Sequence, residues 1–270
     1  LSPLELYRDY GPRRRDQLQR KIHQLNELSA GVLAILFDDM PGDLPELAAR
    51  QAAIIEDIAS WTTAARLLVC PTYYSTDPVL ERVFGARPAR YWQELGAALD
   101  PAIDLFWTGP RVCSEVIGID HLEEVGGMLG RRPVLWDNYP VNDGERMSRY
   151  LHLRPLSGRE RGLGDYLNGH LCNPMNQGRL SVLPLQGLVH LYSDQAPDPS
   201  QWARREFGPE LAGLLDTHLA QLQDAGLDAL GEGEREALAG RFASLEHPAA
   251  GEVAAWLRGE YTFDPACLTD

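Results

Sequence analysis

The sequence predicts an α/β chain with a parallel sheet, followed by an all-α region, and three observations carry that prediction. Short apolar runs alternate with stretches of helical periodicity from the start of the chain to about residue 190. Polar and aromatic residues crowd the C-terminal end of each apolar run. From about Leu183 the runs give way to helical periodicity broken by Gly and Pro.

The elements follow in order. Leu18, Ile22, Leu25 and Leu28 share one helix face, with Gly31 as the expected stop. Val32–Phe37 is a continuous apolar run, the pattern of a strand buried on both faces of a parallel sheet. A loop from Asp38 to Asp43 leads to a helix that starts near Pro45 and carries Leu47, Ile54, Ile55 and Ile58. The second strand is expected at Arg66–Cys70, a helix near Ala89–Ala98, and the third strand at Ile103–Trp107. A helix over Ile119–Leu129 precedes a fourth strand at Pro133–Trp136, and a fifth is expected around Gly169–Cys172. Such alternation implies right-handed crossovers. Helical stretches then run through Leu185–Tyr192, Trp202–Phe207, Leu211–Leu222, Glu234–Leu245 and Val253–Leu257, which suggests two domains, 1–192 and 193–270.

Composition narrows the function. The 270 residues carry a formal charge of −14, which argues against nucleic acid and an anionic membrane surface as partners. Apolar residues at 44% suffice for a real core, and no run approaches the ~18 residues of a membrane span. The N-terminus shows no signal pattern and does not begin with Met, so the chain is expected to be processed or part of a longer protein. Cys70, Cys113, Cys172 and Cys267 form no C-x-x-C pair and no zinc spacing with histidine, so buried thiols in a reducing, cytoplasmic setting are expected. Lys21 is the single lysine, so a Schiff-base lysine has no other candidate position. No Gly-rich phosphate loop follows a strand, since Gly126, Gly127 and Gly130 fall on a helix. No cofactor is expected.

The chemistry-bearing segments lie where parallel sheets place their active sites, at the C-terminal strand ends. Asp38-Asp39 directly follows the first strand, where partial desolvation and mutual repulsion push two carboxyl pKa values apart. Both can face the same side only if the chain has already left strand geometry. An alternative use is an aspartate capping a short turn. Tyr73, Tyr74, Trp136 and Tyr139, with Asp and Asn nearby, suit a sugar ring, whereas Trp107 before Thr108-Gly109-Pro110 reads as core. Metal binding is a rival use of Asp38, Asp39, Asp137 and Asp143, but His170 is the one histidine near a strand end, so no metal is expected. Ser114 lacks a G-x-S-x-G elbow and an evident base.

Taken in order, Phe37-Asp38-Asp39-Met40, Cys70-Pro71-Thr72-Tyr73-Tyr74, Trp107-Thr108-Gly109-Pro110-Arg111-Val112, Trp136-Asp137-Asn138-Tyr139-Pro140-Val141-Asn142-Asp143 and Asn173-Pro174-Met175 resemble glycoside hydrolase family eighty-four, the O-GlcNAcase and hyaluronoglucosaminidase-type β-N-acetylglucosaminidases. The resemblance covers about residues 15–195. It implies a (β/α)8 TIM-type barrel of which this chain holds about the last five βα units, followed by the helical domain. It also implies retaining, substrate-assisted hydrolysis of a GlcNAc-containing glycan or glycoprotein, a named exception to the two-carboxylate scheme.

The implied roles follow the motifs. Asp38 resembles the residue that polarises the acetamido group, and Asp39 the general acid and base. Tyr74 and Asn138 resemble hydrogen-bonding residues of the acetamido pocket, and Trp136 its wall. Asp143 and Asn173 match binders of the sugar hydroxyls, and Val112 sits where the backbone passes the aglycon. Tyr73 departs from the family's Pro-Thr-Glu-Tyr. Three strands, a Phe-Tyr-Gly segment and a sugar-binding lysine have no counterpart here, so those strands are expected from the rest of a parent chain. The competing reading is a non-catalytic sugar-binding or interaction protein derived from that barrel.

Overall fold

The computed structural model describes residues 1–193, 198–261 and 263. Five parallel strands stand in chain order: β1 (Val32–Leu36), β2 (Arg66–Cys70), β3 (Asp104–Trp107), β4 (Val134–Asp137) and β5 (Gly169–Cys172). Register pairs Leu36 with Cys70, Val69 with Leu105, and Trp107 with Leu135, so every strand ends on the same edge. Helix α1 (Pro12–Asn26) precedes β1, and the crossovers between β1 and β4 are α2 (Leu47–Trp61), α3 (Pro78–Phe84) with α4 (Tyr91–Ala98), and α5 (Ile119–Leu129). The α/β expectation is met: this is part of a (β/α)8 barrel followed by helices.

Three local expectations fail for identifiable reasons. Helix α1 ends at Asn26, and Leu28 is 72% exposed beyond it, so Gly31 is not the stop. Strand β1 stands at the end of the strand order, which leaves Val32 53% exposed while Ile35 is fully buried. The run therefore is not covered on both faces along its length. Helix α3 went unforeseen: its start is a local device, with the Asp77 carboxylate accepting from Val79 N (3.0 Å) and Pro78 at the first position. Leu1 lies along the open side of β1, its N donating to Ala34 O (2.8 Å) and its O accepting from Leu36 N (2.9 Å).

The chain divides into two compact units. The first comprises Leu1–Val112, Ile117–Trp136 and Gly162–Leu171. Its core joins Ile35, Phe37, Val69, Leu105 and Trp107 of the strands and their ends to Ile54, Ile55 and Ile58 of α2 and Leu95 of α4. At the amino-terminal strand edge, Arg66 bonds the Asp104 carboxylate (2.6 Å) and Asn168 O (3.0 Å).

The second unit comprises Cys113–Val116, Asp137–Arg161 and the described part of Cys172–Asp270. It contains α6 (Val182–Tyr192), α7 (Pro199–Leu219), a π-helical turn (Ala220–Ala225), α8 (Glu232–Ala243) and α9 (Pro248–Leu257). The stretches expected at Trp202–Phe207 and Leu211–Leu222 are two helical segments that meet at Gly208, whose φ of 76° and ψ of 160° are not helical, just before Pro209. Its own core gathers Leu151, Leu222, Phe242, Val253 and Trp256, and Trp256 Nε1 donates to Ser148 O (2.9 Å). No helix among the described residues is long and apolar enough to cross a membrane.

Candidate active site

In the first unit the site begins where β1 stops. Phe37 is fully buried; its N donates to Cys70 O (2.9 Å) and its O accepts from Thr72 Oγ1 (2.8 Å), which closes the ladder there. The chain then turns, so Asp38 and Asp39 are not alternating strand residues. Asp39 sits in the left-handed region at φ 54°, a conformation a non-glycine residue holds only when its surroundings enforce it. The far side of the turn supplies that enforcement: Tyr7 OH donates to Pro41 O (2.6 Å) and Gly42 N to Phe84 O (2.7 Å). A Cβ on Gly42 would fall 2.6 Å from the Tyr73 ring, so only glycine lets the turn lie this close.

Electrostatics acts on Asp38. Burial, with the charge of Asp39 beside it, pushes the Asp38 carboxyl up to about 6, against a backbone hydrogen bond and the Leu1 ammonium. Asp38 is partly buried and Asp39 exposed. Cys70 beneath them is fully buried, and that burial plus the two carboxylates holds its thiol well above the ordinary range, so it is a neutral packing group rather than a nucleophile.

The neighbouring strand ends are stitched to one another. Tyr74 is buried, and its O accepts from Thr108 N (2.9 Å). Ser75 Oγ donates to Gly109 O (2.8 Å). The Asp77 carboxylate accepts from Val112 N (3.2 Å), which fixes the backbone of Val112, itself buried. Trp136 keeps part of its ring exposed and meets Phe106 edge-on at 5.1 Å. Trp107 is fully buried, with Nε1 bonded to His121 Nε2 (2.9 Å). It belongs to the core.

The second unit holds the other three candidates. Asn173 N donates to Asp137 O (2.8 Å) and Asn173 Nδ2 to Asn138 Oδ1 (3.2 Å), so these two amides are brought together. Asp143 is partly exposed on the loop after β4. Its neighbour Asn142 is 1% exposed and anchors that loop, donating to Tyr150 O (3.1 Å) and Gln177 Oε1 (2.8 Å) and accepting from Asn176 N (3.0 Å). Asp137 is fully buried and both its oxygens are held by Arg159.

A family model described as beta-N-acetylglucosaminidase matches residues 1–207. The chain belongs to the β-N-acetylglucosaminidase family. Among relatives, the proteins named Protein O-GlcNAcase from Mus musculus and Rattus norvegicus are each 31% identical over 190 residues, covering 67% of this chain and 20% of their own length. A solved O-GlcNAc hydrolase mutant from Thermobaculum terrenum superposes with a TM-score of 0.73 at 26% identity, covering 92% of this chain and 62% of that one. The structure named CpGH84B shares the fold, with a TM-score of 0.65 at 19% identity over 93% of this chain and 50% of its own. The chain thus spans a fifth of the length of these rodent relatives. The resemblance drawn from the five strand-end motifs is borne out.

Several residues that build this candidate site escape sequence reading. A buried chain runs Tyr91 OH to Gln51 Oε1 (2.5 Å), Gln51 Nε2 to Thr72 Oγ1 (2.8 Å), and Thr72 Oγ1 to Phe37 O, ending at the peptide before Asp38. Gln51 and Tyr91 lie on helices among apolar neighbours, with no local signal. The Asp77-Pro78 cap is readable in sequence, but its second partner, Val112, is not. Of the thiols, Cys70 is buried as expected, whereas Cys113 is exposed on the loop after β3 and Cys172 is partly buried; Cys267 lies outside the described residues. Lys21 is exposed on α1.

Proposed function

We propose that this chain carries the carboxylate pair and much of the sugar pocket of a retaining β-N-acetylglucosaminidase, one that removes terminal β-linked GlcNAc by substrate-assisted catalysis. The Asp38–Asp39 turn carries the reading: two adjacent carboxyls leave the strand together in one turn beyond its end, the second held left-handed by the walls of its loop. Family membership and the GlcNAc named in the relatives support the sugar.

In this reading Asp38, ionised, accepts the acetamido N–H and draws its carbonyl oxygen onto C1. The C1–oxygen bond to the aglycon breaks as Asp39 gives its proton to the leaving oxygen. An oxazoline forms. Asp39, now a base, takes a proton from water, which attacks C1 and reopens the ring with retained configuration. Tyr74 and Asn138 hold the acetamide, Trp136 walls it, Asp143 and Asn173 grip the hydroxyls, and the backbone at Val112 borders the aglycon.

A thiazoline shaped like the bicyclic intermediate tests this. It should inhibit the full-length protein strongly, as ligands resembling the transition state do. Asp38→Ala should weaken that inhibitor far more than it weakens plain glucose. Trapping a glycosyl ester on any carboxylate of the protein would refute the mechanism.

A further inference from the structure

Arg159 is committed in a way no motif announced. Its side chain is 3% exposed and that of Asp137 is 1% exposed. Nε and one terminal nitrogen grip the two Asp137 oxygens at 2.7 and 2.5 Å. The remaining donors reach three carbonyls: Ser114 O (2.9 Å), Glu115 O (2.8 Å) and Ser157 O (2.9 Å). All five N–H groups of the guanidinium are thereby used. Gly158 makes this reach geometrically possible. It sits at φ +71°, and a Cβ there would fall 2.1 Å from Glu115 O.

The clamp gathers three stretches that are distant in sequence. Residues 113–116 follow directly on Val112, residues 157–159 carry the guanidinium, and Asp137 separates Trp136 from Asn138 in the chain. Asn173 N bonds the Asp137 carbonyl, so the same residue also seats Asn173. A buried pair with every donor satisfied holds one geometry, because any other leaves a desolvated charge unpaired.

We propose that Arg159 is a positioning residue that sets the shape of the N-acyl pocket, by locking Asp137 and hence the peptide that presents Trp136 and Asn138. This rests on the glucosaminidase reading, in which those two residues face the acetamido group. A tight pocket discriminates one methylene by roughly 10–200-fold. Loosening its frame therefore erodes discrimination rather than scaling every rate alike.

The test uses full-length protein and a series of 4-nitrophenyl β-glucosaminides bearing N-acetyl, N-propionyl, N-butyryl and N-pentanoyl groups. Arg159→Lys keeps a cation beside Asp137 but lacks the fork for the carbonyls, and Asp137→Asn keeps the shape but removes the carboxylate. In both, the ratio of kcat/KM for N-acetyl over N-butyryl should fall by about fivefold, with KM for the N-acetyl substrate raised. The inference is overturned if both variants keep the wild-type ratio and lose kcat only in proportion to the folded fraction seen by circular dichroism. It is also overturned if neither variant folds, since the clamp is then structural alone. Failure of the wild type to hydrolyse any member of the series sinks the glucosaminidase reading itself, and so is distinct from an unchanged ratio.

Discussion

Asp38 bears opposite relations to stability and to chemistry. Its carboxyl titrates near 3.8 in the unfolded chain and about 6 in the folded one. At acid pH both states hold the proton and the residue is neutral for stability. As pH rises between those values the unfolded chain releases its proton first, so stability falls, and the full penalty is in place above about pH 6. Asp38→Asn should therefore stabilise the fold above that pH by on the order of 2 kcal/mol, the gain fading as the pH falls to about 4. Urea unfolding at several pH values measures this, and a gain independent of pH would show that burial of the charge is not the cause. The same ionisation should set the acid limb of kcat/KM near pH 6 in full-length protein, with activity rising as Asp38 ionises. A profile flat through that region would remove Asp38 from the polarising role.

At the scale of the element, the turn after β1 depends on what lies beneath it. Thr72 Oγ1 donates to Phe37 O and accepts from Gln51 Nε2, so the peptide before Asp38 is fixed from α2 and α4 through the end of β2. Thr72→Val should destabilise the protein by about 1–3 kcal/mol, because Gln51 and the Phe37 carbonyl lose a buried partner. Thr72→Ser should lose much less. Equal urea midpoints for the two variants would show that the hydroxyl contributes nothing. The elements themselves were legible because they are local. Apolar runs mark β1 to β4, and parallel pairing then forces the segments following them onto one edge. Apart from helix α3, whose start at Asp77-Pro78 is local, what escaped was non-local. The exposure of Val32 follows from its place at the end of the strand order. Arg159 stands 22 residues from Asp137 in a stretch without periodicity. The eight candidate residues were read from the motifs they sit in, whereas the buried polar residues around them, Gln51, Tyr91, Asn142 and Arg159, resemble ordinary helix and loop positions.

At the scale of the whole molecule, five parallel strands and two separate cores have to be set against relatives that are longer than this chain. An eight-stranded barrel closes only when every strand is present, and preorganised contacts around the reacting sugar carry much of the rate. The 270-residue chain by itself should therefore turn over 4-nitrophenyl β-N-acetylglucosaminide very poorly and self-associate through its open sheet edge. Light scattering and a rate assay, compared with full-length protein, check both; a monomer with ordinary turnover would mean that these residues complete a site by themselves. The central claim, that Asp39 moves the proton for a sugar whose own acetamide is the nucleophile, meets its most direct test in a leaving-group series. In full-length protein, Asp39→Asn should lower kcat/KM by about 10²–10⁴ for a substrate with a poor, alcohol-like leaving group. The loss should shrink for 4-nitrophenol and shrink further for dinitrophenol, which depart without a proton. Equal losses across the series would contradict the account.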